Sequence, residues 1–236
     1  MKIRNVINEM AGKTGYEIRR IGTPMRSLSY GLNDLSRRIQ VNGVIDIGVA
    51  DGTPELYGAF PASRHAYLLV EADPHYEKNV RDLAAAFDGA YELAFAGAIH
   101  SKAVFNVYAD HRKSSLFINK KQGRADHTID VAVAPLDSMV ASHRIPPPYV
   151  VKIDAEGAER DVIQGAHETL AQAKAVVLEA SVAKKFDGAP EFADLVAAMH
   201  ARGFSVFDIL AGSNRNGTLY QVDLVFVRTD DPLRLE

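Results

Sequence analysis

The feature that most constrains the fold is the stretch Val44–Gly52, which reads VIDIGVADG. An apolar run carrying one acid, Asp46, ends at Gly48, and a second glycine follows at Gly52. This pattern predicts a buried β-strand that enters a tight turn. The next residues, Thr53–Pro54, suit the N-cap and first position of a helix. A strand, a glycine turn and a helix N-terminus in this order are typical of the ligand-binding end of a doubly wound α/β sheet.

The spacing of the turn residues discriminates between ligands. A dinucleotide fingerprint, G-x-G-x-x-G, needs three glycines where this chain has Gly48, Ala50 and Thr53. The spacing present, D-x-G-x-x-x-G, resembles instead the first motif of class I S-adenosylmethionine (SAM) methyltransferases. A buried strand and turn without any ligand is the alternative that stays open. The residues of this turn that we expect to bind the cofactor are Asp46, Gly48, Val49 and Gly52.

Two later segments supply further parts of the expected cofactor site. The run Ala66–Glu71 predicts a second strand that ends on an acid, whose oxygens suit the hydroxyls of a ribose. Tyr91–Ile99 predicts a third strand with small residues near its end, including Ala98. Small residues would let an adenine ring lie flat on the backbone, although close packing alone explains them equally well. We expect Glu71 and Ala98 to contact the cofactor.

Composition excludes several classes of protein. The 236 residues suit one α/β domain, and a net charge of -3 argues against a general nucleic-acid binder. The absence of cysteine excludes disulfides and thiolate zinc sites. No apolar run is long enough to cross a membrane, and the N-terminus lacks the apolar core of a signal peptide. We therefore expect a cytoplasmic protein.

The chain divides into a short extension and one larger unit. Residues 1–24 carry more bases than acids, with apolar residues at helical spacing, and predict a basic amphipathic extension. Contact with a membrane surface or partner, and simple packing on the domain, are both open for it. Residues 25–236 are expected to form a single domain that begins with a helix over 25–40. Near its end, an exposed polar loop is expected over 211–217, between two antiparallel strands.

A second group of acids follows the apolar strand that begins at Tyr149. Asp154, Glu156 and Glu159 lie within six residues, just before a helix predicted over Arg160–Leu170. Ligands of open α/β sheets bind outside the carboxyl ends of the strands, so Asp154 and Glu156 are expected to face the reactive end of the cofactor. Glu159 is expected only to cap the helix.

Residues 152–159 and the Gly-Ala pair at 165–166 resemble the signature K-I-D-x-E-G-x-E of the FkbM-type methyltransferases. The rest of the pattern occurs in order from about residue 25 to 230: Asp46–Gly48, Glu71, Ser114–Leu116, Leu136–Asp137 and Val177–Glu179. This resemblance implies a class I methyltransferase-like, Rossmann-type sheet, mostly parallel with an antiparallel C-terminal strand. It also implies SAM-dependent methylation of a hydroxyl oxygen on a sugar, glycan or secondary metabolite.

Transfer of a methyl group to a hydroxyl requires alignment of the acceptor and removal of a proton. The expected catalytic residues are Asp154 and Glu156, with a histidine (His100, His111 or His127) as the alternative base. The sequence leaves open whether Mg²⁺ binds the same acids. It also leaves open the oligomeric state, a non-catalytic interaction module and, less favoured, an NAD-dependent oxidoreductase. The expected partner is a small-molecule or glycan acceptor, not a nucleic acid.

Overall fold

The fold is that of a computed structural model, in which Ala11 and residues 26–235 are described. The predicted basic extension, residues 1–24, otherwise lies outside the described residues. The helices are α1 Leu28–Arg38, α2 Pro54–Ala59, α3 Glu77–Phe87, α4 Leu136–His143, α5 Glu159–Gln164, α6 His167–Ala171 and α7 Phe192–Ala201. The strands are β1 Gly43–Ile47, β2 Ala66–Glu71, β3 Ala90–Leu93, β4 Phe95–Ala96, β5 Ser101–Val107, β6 His127–Ala134, β7 Tyr149–Ile153, β8 Ala173–Ser181, β9 Phe204–Arg215 and β10 Thr218–Arg228. Short 3₁₀ turns cover Pro74–Tyr76, His111–Lys113 and Pro232–Leu235.

The main sheet has seven strands in the order β3-β2-β1-β7-β8-β10-β9. β1 and β7 pair in parallel at its centre, and every residue of both strands is buried. Strands buried on both faces are mostly apolar, which is why these two were recognisable from the sequence although each carries one charged residue, Asp46 in β1 and Lys152 in β7. β10 is antiparallel to both of its neighbours. The predicted fold class, a mostly parallel doubly wound sheet with an antiparallel C-terminal strand, is confirmed.

Helices cover both faces of this sheet. α1, α2 and α3 pack on one face through buried residues such as Leu35, Leu56 and Val80. α4 to α7 pack on the other, through residues such as Val162 and Leu195. The chain leaves β1 towards β2 on one side and returns to β7 on the other, so the strand order reverses between β1 and β7. Such a switch point places a crevice beside the carboxyl ends of these strands.

The predicted third strand, Tyr91–Ile99, is divided between two sheets. β3 pairs with β2 only as far as Leu93, whose partner Glu71 is the last residue of β2. Beyond that point the main sheet offers no partner, and Phe95–Ala96 pairs with β6 in a three-stranded sheet of order β4-β6-β5. Prediction of one continuous strand was therefore wrong, because the length of β2 limits that of β3.

Two other predicted elements also differ. The helix expected over 160–170 is interrupted at Gly165, where a Cβ would lie 1.9 Å from the carbonyl oxygen of Gly97. The exposed loop expected over 211–217 is mostly strand, since β9 continues to Arg215. Asn216 and Gly217 make the turn, both with positive φ, as a tight hairpin turn requires. In the part of the chain described, no helix has the length and apolarity needed to cross a membrane.

Candidate active site

A cavity of about 360 Å³ lies at the carboxyl ends of β1, β2 and β7. Its walls come from the segments that follow these strands: residues 48–53, 71–73 and 154–156. Residues 94–96 line it from the junction of the two sheets. α1 contributes nothing to the lining and packs instead against α2 and β9. The cavity therefore occupies the crevice that the strand order predicts.

The turn after β1 is shaped by the closeness of β7. Gly48 has φ +78°, and a Cβ on it would lie 1.8 Å from the carbonyl oxygen of Asp154. The two chains are held at this distance because the Asp154 N–H donates to the carbonyl of Ile47 at 3.0 Å. Only glycine fits here, and because it has no side chain, the backbone is accessible from the cavity.

Ala50, which stands at the second glycine position of the dinucleotide fingerprint, adopts φ +44°. Its N–H donates to Glu71 Oε2 at 2.8 Å, and its carbonyl accepts from Asn79 Nδ2 at 2.7 Å. Strained backbone of this kind costs of the order of 1–3 kcal/mol and persists where the surroundings impose it, often at ligand sites. The Glu71 carboxylate thus fixes the turn as well as facing the cavity.

Glu71 is 7% exposed and accepts three backbone hydrogen bonds. Besides Ala50, the N–H groups of Ala72 and Asp73 donate to Oε1, both at 2.8 Å. Burial raises the pKa of Glu71, and these N–H groups oppose the rise. A carboxylate offers about four acceptor positions. Among the described residues three positions are used, which leaves one on Oε2 for a ligand hydroxyl.

Asp46 lies behind the turn and does not line the cavity. Its side chain is fully buried, and the Tyr57 hydroxyl donates to Oδ2 at 2.7 Å. The Lys152 Nζ lies 3.7 Å from Oδ1. Burial raises the pKa of Asp46, while Lys152 and Tyr57 lower it. Asp46 therefore ties β1 to α2 and β7 from a position behind the cavity lining.

Ala98 is the other predicted cofactor residue that the structure places outside the cavity lining. It follows β4 in the smaller sheet, beyond the point where the chain leaves β3. The small residues at the cavity wall are Ala94 and Ala96. Of the predicted site residues, those that the structure brings together around the cavity are Gly48, Val49, Gly52, Glu71, Asp154 and Glu156.

The segment after β7 turns sharply at Glu156 and Gly157, whose φ values are +45° and +103°. Ser115, from the Ser-Ser-Leu loop, is fully buried and donates its hydroxyl to the Glu156 carbonyl at 2.6 Å. The same hydroxyl accepts from the N–H of Phe117 at 3.0 Å. This loop therefore fixes the backbone that presents the Glu156 carboxylate.

A group of three carboxyls, which we call the carboxylate cluster, is formed by Asp154, Glu156 and Glu179. One oxygen from each lies within 4.8 Å of the others, a spacing that could hold a metal ion. Burial raises the pKa of both Glu156 and Glu179, and the neighbouring Asp154 adds to the rise while Lys185 opposes it. Glu179 was not predicted as a site residue, although it ends the V-L-E motif on β8.

Glu159 does not line the cavity, but it is not the helix cap that was expected, because the N-cap of α5 is Ala158 and no side chain makes the cap hydrogen bond. It is the first residue of α5, is 5% exposed, and accepts from the Gly157 N–H through Oε1 at 2.9 Å. Burial raises its pKa to about 7.

A pair at the rim of the cavity was missed from the sequence. His111 Nδ1 lies 2.7 Å from Asp73 Oδ2, and the His111 ring stacks on that of His75 with centroids 3.8 Å apart. The Asp73 side chain is buried, and both Asp73 and His111 line the cavity. His111 was considered only as a base. The Asp-Pro turn directly after Glu71 was the available signal for Asp73.

The sequence profile of the methyltransferase FkbM domain matches residues 46–206. No curated protein matches the chain. Among solved structures, magnesium protoporphyrin IX methyltransferase from Synechocystis PCC 6803 with bound SAM is 10% identical, with a TM-score of 0.46 over 97% of this chain and 98% of that chain. Precorrin-6y C5,15-methyltransferase from Geobacter metallireducens GS-15 is 12% identical, with a TM-score of 0.44 over 84% and 86% of the two chains. The N-terminal domain of EvdMO1, in the presence of SAH and D-fucose, is 10% identical, with a TM-score of 0.47 over 97% and 98%.

Proposed function

The chain belongs to the FkbM methyltransferase family, and we propose that it transfers the methyl group of SAM to a hydroxyl oxygen of a sugar or other polyhydroxylated small molecule. The observation that supports this proposal is the joining of two motifs in one cavity. The glycine turn and Glu71 line this cavity together with Asp154 and Glu156.

The residues around the cavity fit SAM. The volume of about 360 Å³ is in the usual range for a ligand pocket. The bare backbone of Gly48–Gly52 suits close approach of the cofactor, and the remaining acceptor position of Glu71 suits a ribose hydroxyl. Ala94 and Ala96 present little side chain at the wall where an adenine would lie, a role expected from the sequence for Ala98. When bound, SAM supplies a methyl group activated by a sulfonium.

Glu156 is the base in this proposal. Its carboxylate lines the cavity, and its raised pKa makes it a better proton acceptor than an ordinary glutamate. With SAM bound, the Glu156 carboxylate would accept the proton of the acceptor hydroxyl as the methyl group passes from the sulfonium sulfur to the hydroxyl oxygen, the carbon–sulfur bond breaks and S-adenosylhomocysteine leaves. Asp154, whose Oδ2 lies 3.2 Å from Lys152 Nζ, is held beside it to orient the acceptor hydroxyl.

The polar groups beyond Glu156 support a polyhydroxylated acceptor. Lys185 and Gln221 contact Glu179 of the carboxylate cluster, and together these side chains carry both donors and acceptors, which hydroxyl groups can pair with. An edge rich in carboxylates disfavours the phosphates of a nucleic acid. We therefore propose that the acceptor is a small molecule or a glycan. The cytoplasmic location remains a prediction.

The test combines cofactor binding with transfer. SAM and S-adenosylhomocysteine are titrated into the protein by calorimetry, with NAD as a control. Transfer of labelled methyl from SAM is then measured over a panel of sugars, nucleotide sugars and glycosides. We expect Glu156→Gln to bind SAM normally and to lose about a hundredfold or more in transfer rate. Glu168→Gln, which changes an exposed acid on α6, should leave both unchanged.

Three results would contradict the proposal in different ways. Normal transfer by Glu156→Gln would remove this residue as the base and leave the family activity intact. Failure to bind either SAM or S-adenosylhomocysteine would favour the non-catalytic interaction module. Binding of NAD alone would favour the oxidoreductase.

A further inference from the structure

We propose that the ammonium group of Lys185 is the cation of the carboxylate cluster and takes the place that a divalent metal would need, so that this site works without metal. Lys185 is then a positioning residue for Glu156. The proposal concerns which cation the cluster holds, and it stands whichever acceptor is methylated.

Lys185 contacts two of the three carboxyls that a metal would use, those of Glu156 and Glu179. Its Nζ forms an ion pair with Glu156 Oε2 and lies 3.7 Å from Glu179 Oε1. It also lies 3.4 Å from Gln221 Oε1. A divalent ion binds carboxylate oxygens at about 2.0–2.6 Å. Since the ammonium is already against Glu156 Oε2, a metal at the same oxygens would overlap it, and only one of the two cations can be present.

Backbone and packing contacts hold the main chain around Lys185 in place. In this position its ammonium group lies against the carboxylate cluster. The Lys185 carbonyl accepts from the N–H of Lys120 at 3.0 Å. The next residue, Phe186, bridges to Asn119 and packs over Gly157, where a Cβ would lie 3.0 Å from its ring. Lys185 itself is only 7% exposed. A buried ammonium needs paired oxygens, and among the described residues Glu156, Glu179 and Gln221 supply them.

Gln221 makes the arrangement specific for a lysine. Its Nε2 donates to Glu179 Oε2 at 2.8 Å, which turns Oε1 towards Lys185. On the other side of the cluster, Lys152 pairs with Asp154 at 3.2 Å. Two ammonium groups thus face three carboxyls. This neutralises much of the negative charge that would otherwise attract a divalent ion.

The test measures Mn²⁺ binding by electron paramagnetic resonance on metal-free full-length protein. We expect the wild type to hold no bound Mn²⁺ at the cluster. Lys185→Met should gain one Mn²⁺ per chain, bound at least about tenfold more tightly than by the wild type. The gain should disappear in the double variant Lys185→Met/Glu179→Gln. Lys184→Met is the matched control, because the neighbouring side chain is exposed and pairs with Glu191 outside the cluster.

SAM titration of each variant shows that the fold is intact, and Lys185→Gln replaces Lys185→Met if the latter does not fold. One bound Mn²⁺ in the wild type that is lost in Glu179→Gln would overturn the proposal. So would a folded, SAM-binding Lys185 variant that gains no Mn²⁺. Neither result would contradict the proposed methyl transfer, which is tested separately by SAM binding and by the transfer rate of Glu156→Gln.

Discussion

Substitution of Gly48 by alanine tests the closeness of the two central strands. The added Cβ would lie 1.8 Å from the Asp154 carbonyl oxygen, where ordinary contact begins near 3.4 Å, so one chain must retreat by more than 1 Å. The φ of +78° adds about 1–2 kcal/mol for a residue with a Cβ, and overpacking typically adds about 1–3 kcal/mol. We therefore expect Gly48→Ala to lose roughly 2–5 kcal/mol of unfolding free energy.

Gly58→Ala is the matched control. Gly58 lies within α2 and has nothing within 4 Å of its Cβ position. Substitution by alanine should therefore raise the free energy of unfolding by about 0.5–1 kcal/mol. Urea unfolding measures both variants, and calorimetry measures SAM affinity. A shift of about 1 Å in the turn should weaken SAM binding at least about tenfold in Gly48→Ala only. Equal stability and equal SAM affinity in the two variants would refute the argument from the close approach of β1 and β7.

Three further substitutions test the surroundings of the cavity. Tyr57→Phe removes the hydrogen bond to the buried Asp46 and should cost about 1–3 kcal/mol in urea unfolding; no loss would mean that water replaces the hydroxyl. Glu71→Gln presents an NH₂ to at least one backbone N–H and should weaken SAM binding about tenfold or more by calorimetry, whereas unchanged affinity would remove Glu71 from the cofactor site. Burial raises the pKa of Glu159 to about 7, so the protonated form is favoured in the folded state. The protonated Glu159 side chain then contributes its full stabilisation at pH values below its pKa in the unfolded chain, near 4.3. This contribution is lost as the pH rises through the folded-state pKa of about 7. Unfolding free energies measured from pH 4 to 8 should show this decline in the wild type and a smaller one in Glu159→Gln.

The centre of the fold was predictable because its signals are local. β1 and β7 are mostly apolar runs, each with one charged residue, that are followed by glycine or acidic residues, and their positions alone indicated the cavity between them. The hairpin turn also had a local signal, the Asn216–Gly217 pair, which was read as part of a loop. By contrast, the end of β3 depends on where β2 stops, a non-local limit that the run Tyr91–Ile99 does not show.

The candidate site was less predictable, because several of its contacts are made by residues far apart in the chain. Lys185 lies in a segment after β8 with no periodicity, yet its ammonium pairs with Glu156. Asp46 was expected at the cofactor because it opens the glycine motif. Whether a strand residue faces the cavity or lies behind it depends on the neighbouring strand, which sequence spacing alone does not reveal.

The glycine motif that follows β1 and the acidic motif that follows β7 lie at the ends of two strands that pair with each other. β1 and β7 pair in register, with Asp46 opposite Lys152 and Ile47 opposite Ile153, so the next positions are Gly48 and Asp154. Side chains two residues apart lie on the same face of a strand, and the K-x-D spacing therefore places Lys152 beside Asp154 while it also reaches Asp46. A substitution of Asp46 therefore also changes the strength of the ion pair between Lys152 and Asp154. Because Lys152 is common to both pairs, the effects of substituting the two acids should not add, and a double-mutant cycle would measure the coupling between Asp46 and Asp154.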